Sequence, residues 1–196
     1  MSDAPDLARK PRADSLRNRE LLLTTAKAAF AEAGAEVALE EIARQAGVGI
    51  GTLYRHFPTR GALLAAVYRR EVEQLSAAAE ALLAEKTPGE ALESWLDLVI
   101  DYMATKRVVA PALRADPDEG ARVVASSGAA VRATLERLTK AAVDGGEIRS
   151  DIGSDDMNRM LIGLWHGYEQ PGWGTSARRM LSVLMAGLRA GQGVTR

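Results

Sequence analysis

The chain of 196 residues has no cysteine, two histidines and no long apolar run. Without cysteine there is neither a disulfide framework nor a thiolate zinc site. The histidines, His56 and His166, lie far apart in the sequence, which leaves little material for a nucleophile relay or a metal cluster. We therefore expect no metal and no cofactor.

Other absences narrow the class of protein further. No run of about 18 apolar residues is present, so no membrane span is expected. Residues 1–20 are polar and show no signal-peptide pattern, which predicts a cytoplasmic protein. No glycine-rich phosphate loop follows a strand, and the carboxylates are scattered over polar helix faces. An enzyme is therefore disfavoured.

Alternating β-branched runs are also missing, whereas Ala, Leu, Glu and Arg are abundant. This composition predicts an all-α fold of about nine helices. The expected helices are approximately 14–33, 39–46, 50–56, 60–85, 88–105, a short broken helix between Pro111 and Pro117, 117–145, 155–168 and 175–190. Their end signals include Gly34, a Thr59 cap and the capping-box spacing of Thr87 to Glu90.

The most informative segment is a pair of short helices joined by a tight turn at Gly47. Thr52, Tyr54, Arg55 and His56 are crowded into the second of them. These side chains hold phosphate oxygens and contact base edges. Arg55 alone in this helix can make a bidentate contact with guanine, worth roughly 1–3 kcal/mol of discrimination. The pattern predicts DNA binding through the second helix.

Two features accompany this helix. Gly49 and Gly51 leave little side chain at its start, so its free N–H groups can approach phosphate. Leu53 and Phe57 are expected to face inward. The net charge of −1 cannot attract DNA by itself, so a local basic patch is needed. The sequence offers one at its N-terminal end: Arg9, Lys10, Arg12, Arg17, Arg19, Arg55 and Arg60.

The segment from Ala43 to Val48, followed by Gly51 to Pro58, resembles the TetR-like family of bacterial transcriptional regulators. The resemblance implies an all-helical homodimer with an N-terminal helix-turn-helix domain and a C-terminal ligand-binding and dimerisation domain. The expected division is a flexible basic arm at 1–13, a DNA-binding domain at 14–60 and an effector-binding and dimerisation domain at 61–196. The resemblance and the residues together predict these DNA-binding positions: Arg17, Gly51, Thr52, Tyr54, Arg55, His56 and Arg60.

The chain departs from the family pattern at three places. Ala38 stands where members often have a Ser or Thr cap, whose loss costs about 0.5–2 kcal/mol, so the second helix is expected to fray. Gly49-Ile50 replaces a common Ser-Lys pair and removes one phosphate-binding cation. Arg55 replaces a common aromatic residue, which is expected to change base preference.

The C-terminal region offers weaker signals. Large apolar or amphipathic side chains are candidates for an effector pocket, although core packing is the favoured interpretation of any single one. These candidates are Trp95, Tyr102, Met103, Met160 and Trp165. Asp101 and Glu169 lie beside them and are alternatives between a ligand contact and solvated surface. His166 is expected to be a structural or interface residue.

Two apolar stripes on the last helices predict a four-helix dimer interface, with intrachain packing as the alternative. The predicted interface residues are Met157, Leu161, Leu164, Tyr168, Met180, Leu184 and Leu188, with Leu181 and Met185 in the second stripe.

The sequence thus predicts a ligand-responsive transcriptional repressor that binds a near-palindromic operator as a homodimer and is released by a small-molecule effector. Its expected partners are double-stranded DNA, a second copy of itself and an unidentified effector, with no membrane. The alternatives are a helical protein-interaction module and a transcriptional activator without a small-molecule ligand.

Overall fold

A computed structural model of the chain describes residues 9–114, 119–165 and 172–190. Within these residues all regular structure is helical, which confirms the predicted all-α class. The helices are α1 (Arg9–Ala33), α2 (Leu39–Gln45), α3 (Ile50–His56), α4 (Arg60–Glu85), α5 (Pro88–Arg114), α6 (Glu119–Asp144), α7 (Ser154–Trp165) and α8 (Trp173–Ala190). No helix of the described chain is both long and apolar enough to cross a membrane.

The predicted flexible arm at 1–13 is too long, because α1 already begins at Arg9. Pro11 lies in the first turn of this helix. Backbone N–H groups have no helical acceptor there, so the missing N–H of proline costs little. Residues 1–8 lie outside the described part.

Pro111 also fails to end a helix. The predicted break after about residue 105 is wrong, since α5 continues through Pro111 to Arg114. Proline removes one helical hydrogen bond, but Val109, Ala110 and Leu113 around it are all buried. Their burial holds the helix where local preference would break it. The described residues therefore form eight helices rather than about nine, and Pro117 lies outside them.

The predicted turn and cap signals are found where the sequence placed them. Gly47 has a φ of +68°, in the left-handed region that favours glycine, and it joins α2 to α3. The Thr59 Oγ1 accepts a hydrogen bond from the backbone N–H of Ala62 at 3.0 Å. The Thr87 N–H donates to the Glu90 carboxylate at 3.3 Å, the reciprocal half of a capping box.

The long helix α4 packs against both the N-terminal helices and the C-terminal helices. Its first half contacts α1, and the helix also packs against α5 and α6, while α8 packs on α5. Buried side chains of both regions form one continuous apolar core. Helix α4 therefore links α5 and α6 to the N-terminal helices.

Candidate nucleic-acid interface

Helix α3 is attached to the molecule by its apolar side. Leu53 has no exposed surface and Phe57 is buried, as the sequence predicts. Because an α-helix turns 100° per residue, this anchoring directs the polar side chains away from the core. Tyr54 is 44% exposed, Arg55 is exposed and Thr52 is half-buried.

The outward side chains of α3 have few polar partners in the described part of the chain. Among the described residues, Thr52, Tyr54 and Arg55 make no side-chain hydrogen bond or ion pair. The His56 ring is half-buried and lies 6.1 Å from the ring of Phe57, centroid to centroid. An exposed cation and two hydroxyls on one helical face therefore remain free to bind a partner with phosphate and base groups.

A cleft of about 300 Å³ separates the start of α1 from α3. Its walls combine polar groups of both helices: Asp14, Ser15, Asn18, Thr52, Arg55 and His56. Of these, Ser15 and Asn18 were not predicted as binding residues, although both can donate to phosphate. Their signal was hidden because sequence spacing does not reveal how α1 crosses α3. Arg17 lies exposed on the same helix.

Helix α3 is also braced by charged side chains at its far end. The Arg19 guanidinium lies 5.6 Å from the centroid of the Phe57 ring, a cation–π contact. Arg70 of α4 reaches back to α1, where it pairs with Glu20 at 3.0 Å and donates to Thr24 at 2.9 Å. These contacts fix the angle at which α4 holds the N-terminal helices.

Arg60, predicted as a phosphate contact, has a structural task as well. Its Nη1 donates to the carbonyl oxygens of Ala35 at 2.8 Å and Val37 at 2.6 Å. These carbonyls belong to the loop just before α2, where Ala38 provides no side-chain cap. Arg60 thus supports the loop at the point where the usual cap is missing. A phosphate contact by Arg60 stays a prediction.

On α2, Arg44 is neutralised by its neighbour. Its guanidinium donates twice to the Glu41 carboxylate, at 2.9 and 2.6 Å. The hydrogen bonds from Arg44, followed by that from Gln45, lower the pKa of Glu41 to about 2. Glu41 is therefore ionised throughout the physiological range, and Arg44 stays paired.

The predicted effector residues divide into two groups. Trp95, Tyr102 and Met103 are packed in the core, so they do not line an open pocket. The Trp95 indole N–H donates to the carbonyl of Leu75 at 2.9 Å, which satisfies its one polar group. Met160 and Trp165 remain half-buried and accessible.

Of the polar residues predicted near that set, the structure describes only Asp101. Asp101 accepts from the Arg178 guanidinium of α8 at 2.6 Å, so it pairs within the chain. Its carboxylate therefore supports the packing of α8 on α5 rather than standing free for a cationic ligand. His166 and Glu169 lie outside the described residues.

The residues of the predicted dimer stripes also differ in burial, and the dimer interface stays a prediction. Met157, Leu161 and Leu188 are buried inside the protomer, as are Leu181 and Met185. Side chains without exposed surface cannot form the contact area of a second chain. Sequence periodicity finds the apolar side of such a helix but cannot show which neighbour covers it.

Other apolar side chains of α7 and α8 do face outward. Ile162 is 44% exposed, Met180 41% and Val183 74%; only Met180 was in the predicted set. Leu164 and Leu184 are half-buried beside them. Tyr168 lies outside the described residues. The outward sides of α7 and α8 therefore carry exposed apolar side chains, Ile162 on α7 and Met180 with Val183 on α8.

Two known protein families match this chain, one in its N-terminal and one in its C-terminal region. Residues 22–67 match the family described as bacterial regulatory proteins of the tetR family. Residues 87–190 match the C-terminal domain of SbtR-like transcriptional regulators. The two matches fall on either side of the middle of α4.

Solved structures with this fold are similar along almost their whole length. The TetR transcriptional regulator SCO0520 from Streptomyces coelicolor is 44% identical, with a TM-score of 0.75, over 87% of this chain and 98% of that one. A TetR regulatory protein from Mycobacterium vanbaalenii is 35% identical, with a TM-score of 0.76, over 91% and 99%.

Curated relatives match over shorter stretches. The HTH-type transcriptional repressor Rv1474c of Mycobacterium tuberculosis is 30% identical over 70% of this chain and 72% of its own length. With the HTH-type transcriptional regulator SAR0097 of Staphylococcus aureus, the match of 38% identity spans only 42% of that protein. All of these proteins are named as transcriptional regulators, and none as an enzyme.

Proposed function

Because the chain belongs to the TetR family of bacterial transcriptional regulators, we propose that it is a repressor that binds a near-palindromic operator as a homodimer and is released by a small-molecule effector. The observation that carries the proposal is the outer face of α3. There Thr52, Tyr54 and Arg55 point away from the core and make no side-chain hydrogen bond or ion pair to any described residue.

Each part of that face has a role in DNA recognition. Arg55 contacts guanine O6 and N7 in the major groove, and the hydroxyls of Thr52 and Tyr54 hold phosphate. His56 and the glycine at position 51 bring the helix close to the backbone. Arg17, with Ser15 and Asn18 of the neighbouring cleft, adds phosphate contacts from α1.

A second copy of the chain is proposed to cover the exposed apolar side chains of α7 and α8. A symmetric pair of heads then enters successive major grooves roughly 34–36 Å apart, which explains the expected palindromic operator. Val183, which is 74% exposed, would otherwise leave apolar surface in water. The name of the Mycobacterium tuberculosis relative, a repressor, supports the direction of regulation.

Effector response is proposed to pass through α4. The Tyr102 hydroxyl of α5 donates to the Tyr68 hydroxyl of α4 at 2.8 Å inside the core. A ligand that shifts α5 therefore pulls on the helix that sets the position of α3. Coupling of about 1–3 kcal/mol is typical of such systems and changes affinity by about 5–150-fold.

The test is fluorescence anisotropy of the purified protein with the DNA upstream of its own gene, at two salt concentrations. Wild type is expected to bind tightly and with a steep salt dependence. Arg55→Ala is expected to lose roughly 1–3 kcal/mol of discrimination for that DNA over random DNA. The matched control is Arg137→Ala, an exposed arginine on α6 that pairs with Glu80.

Binding of the same strength by wild type, by Arg55→Ala and to random DNA would contradict the proposal. Selection of bound fragments from the whole genome distinguishes a distant operator from an absent one. If no fragment is enriched by wild type over Arg55→Ala, the α3 face does not recognise DNA sequence.

A further inference from the structure

Three cations in the C-terminal region have no counter-charge within ion-pair distance among the residues that the structure describes. Lys106 and Arg114 lie on α5, and Arg132 lies on α6, which packs against it. None of the three forms an ion pair with a residue that the structure describes. By contrast, Lys140 of α6 is paired with Asp144 at 2.6 Å, and Arg137 of α6 is paired with Glu80.

Lys106 is the most constrained of the three cations, because it is half-buried. Burial lowers its pKa, and the positive charges of Arg114 and Arg132 lower it further. A partly desolvated ammonium beside two like charges is unfavourable unless something compensates it. An anion between the three would supply the missing charge.

An aromatic wall stands beside the ammonium group. The Lys106 Nζ lies 5.3 Å from the centroid of the Trp165 ring. Trp165 is half-buried at the end of α7, and Met160 of the same helix is half-buried as well. The site therefore offers apolar surface next to positive charge, which suits an organic anion better than an inorganic ion alone.

The two helices that carry the cations, α5 and α6, are in close contact. A Cβ at Gly120 would lie 1.7 Å from the carbonyl oxygen of Leu113, so the start of α6 touches the end of α5. This contact keeps Arg114 close to α6. Lys106 lies one helical turn from Tyr102, whose hydroxyl reaches Tyr68 of α4 at 2.8 Å. A ligand held by Lys106 is thus one helical turn from the hydrogen bond that joins α5 to α4.

We propose that Lys106, Arg114 and Arg132, with Trp165, form a binding site for a small organic anion that carries a carboxylate or phosphate beside an apolar group. The charged end contacts the three cations, and the apolar part lies against the Trp165 ring. That this anion is the effector rests on the proposed function; that the site binds anions does not.

The first experiment measures anion binding to the full chain without DNA. The probes are benzoate and phenyl phosphate, with benzamide and benzyl alcohol as neutral counterparts at matched concentrations. Both anions are expected to raise the Tm and to change tryptophan fluorescence in wild type, and the neutral compounds are not. If neither anion raises the Tm of wild type, the cations are already neutralised within the chain and the proposal is overturned.

The variants separate binding from folding. Lys106→Met is expected to raise the Tm of the free protein, because it removes an uncompensated half-buried charge, and yet to weaken anion binding at least about tenfold. Lys140→Met, which changes an exposed lysine paired with Asp144 on α6, is expected to leave binding unchanged. Arg132→Gln, at an exposed position, provides a second loss of charge with little risk to folding. Unchanged anion affinity in both Lys106→Met and Arg132→Gln would refute the site.

An experiment with DNA distinguishes anion binding at this site from the proposed function. Adding the bound anion to the protein–DNA complex is expected to release DNA from wild type and not from Lys106→Met. Anion binding without release supports the site and refutes its role as effector site. A protein that binds anions but no DNA sequence supports the site and refutes the proposed function.

Discussion

The outer faces of α3 and α8 expose opposite chemistry, although buried apolar side chains anchor both helices. Thr52, Tyr54 and Arg55 on α3 are polar, and no described residue bonds to their side chains. On α8, Met180 and Val183 are apolar and exposed. One face offers hydrogen bonds and charge to a polyanion, and the other offers apolar area to a protein surface.

The arginines near the two faces also differ, because those of α8 form ion pairs within the chain. Arg178 of α8 is bound by Asp97 and Asp101 of α5 at 2.7 and 2.6 Å, and Arg189 by Glu93 at 2.6 Å. Arginine at the edge of α8 therefore fastens that helix to its own chain. Arg55 of α3 forms no ion pair with a described residue, so its charge is available to a partner.

The largest expected effect comes from placing a charge on the apolar face of α8. Val183→Asp puts an unpaired carboxylate into both halves of a symmetric interface, and an uncompensated buried charge costs about 3–5 kcal/mol. The dimer Kd is expected to rise more than about 100-fold by analytical ultracentrifugation. Ala31→Asp, on the exposed side of α1, is the control. An unchanged Kd for Val183→Asp would place the interface elsewhere.

A smaller effect is expected from loosening α3 from inside. Leu53 is the one buried residue of the α3 helix, whereas α8 is held by several. Leu53→Ala removes a fully buried side chain and is expected to cost about 2–5 kcal/mol. Hydrogen exchange should then rise in residues 39–57.

Leu181→Ala is the matched control for that change, because Leu181 is a leucine of α8 that is 4% exposed. It removes the same atoms but is expected to leave exchange in residues 39–57 unchanged. Equal exchange in that segment for the two variants would show that α3 is held by contacts other than Leu53.

What the sequence could predict follows from the distance between the interacting residues. The turn at Gly47, the Thr59 cap and the inward Leu53 depend on neighbours within a few positions, and all three predictions are confirmed. The DNA-binding motif also lies within this segment. Local conformational preference and sequence pattern agree there, so the sequence was enough to predict its structure.

Where distant residues decide, the sequence was insufficient. Leu161 and Val183 both lie on amphipathic helices, yet one is buried and the other is 74% exposed. Pro111 predicted a break that burial of its neighbours overrides. The two carbonyls that Arg60 binds lie 25 and 23 residues away. None of these outcomes can be read from periodicity, because each depends on which helix packs on which face.

Arg60 provides the third prediction, which asks whether bracing and DNA contact are separable. Arg60→Ala leaves the carbonyls of Ala35 and Val37 without their donor, at a cost of about 1–3 kcal/mol. The Tm of the free protein is expected to fall, with Arg60→Lys intermediate because an ammonium cannot reproduce the planar donor geometry. An unchanged Tm for Arg60→Ala would contradict the bracing role. A salt slope reduced by about 0.9 would reveal a phosphate contact as well.

The smallest effect is expected at Arg44 of α2. This arginine is paired with Glu41 within the chain, as Arg178 of α8 is paired with Asp97. The pKa of Glu41 is about 2, held down by hydrogen bonds from Arg44 and Gln45. A carboxyl whose pKa is depressed on folding contributes in full above its usual pKa of 4.5 and loses that contribution as the pH falls from there toward 2. The pair should therefore be insensitive to pH between 6 and 8.

Glu41→Gln removes the negative charge and leaves Arg44 free for phosphate on the helix that crosses the DNA backbone. DNA affinity at low salt is expected to rise a few-fold, and the salt slope to steepen by about 0.9 for each arginine that reaches a phosphate. Glu40→Gln, one position earlier and exposed, removes the same charge without freeing Arg44. An equal rise in both variants would mean that general charge acts, and not the release of Arg44. A rise in Glu41→Gln alone shows that an arginine on the DNA-binding head is restrained by its own chain, as Arg178 is on α8, whereas Arg55 is not.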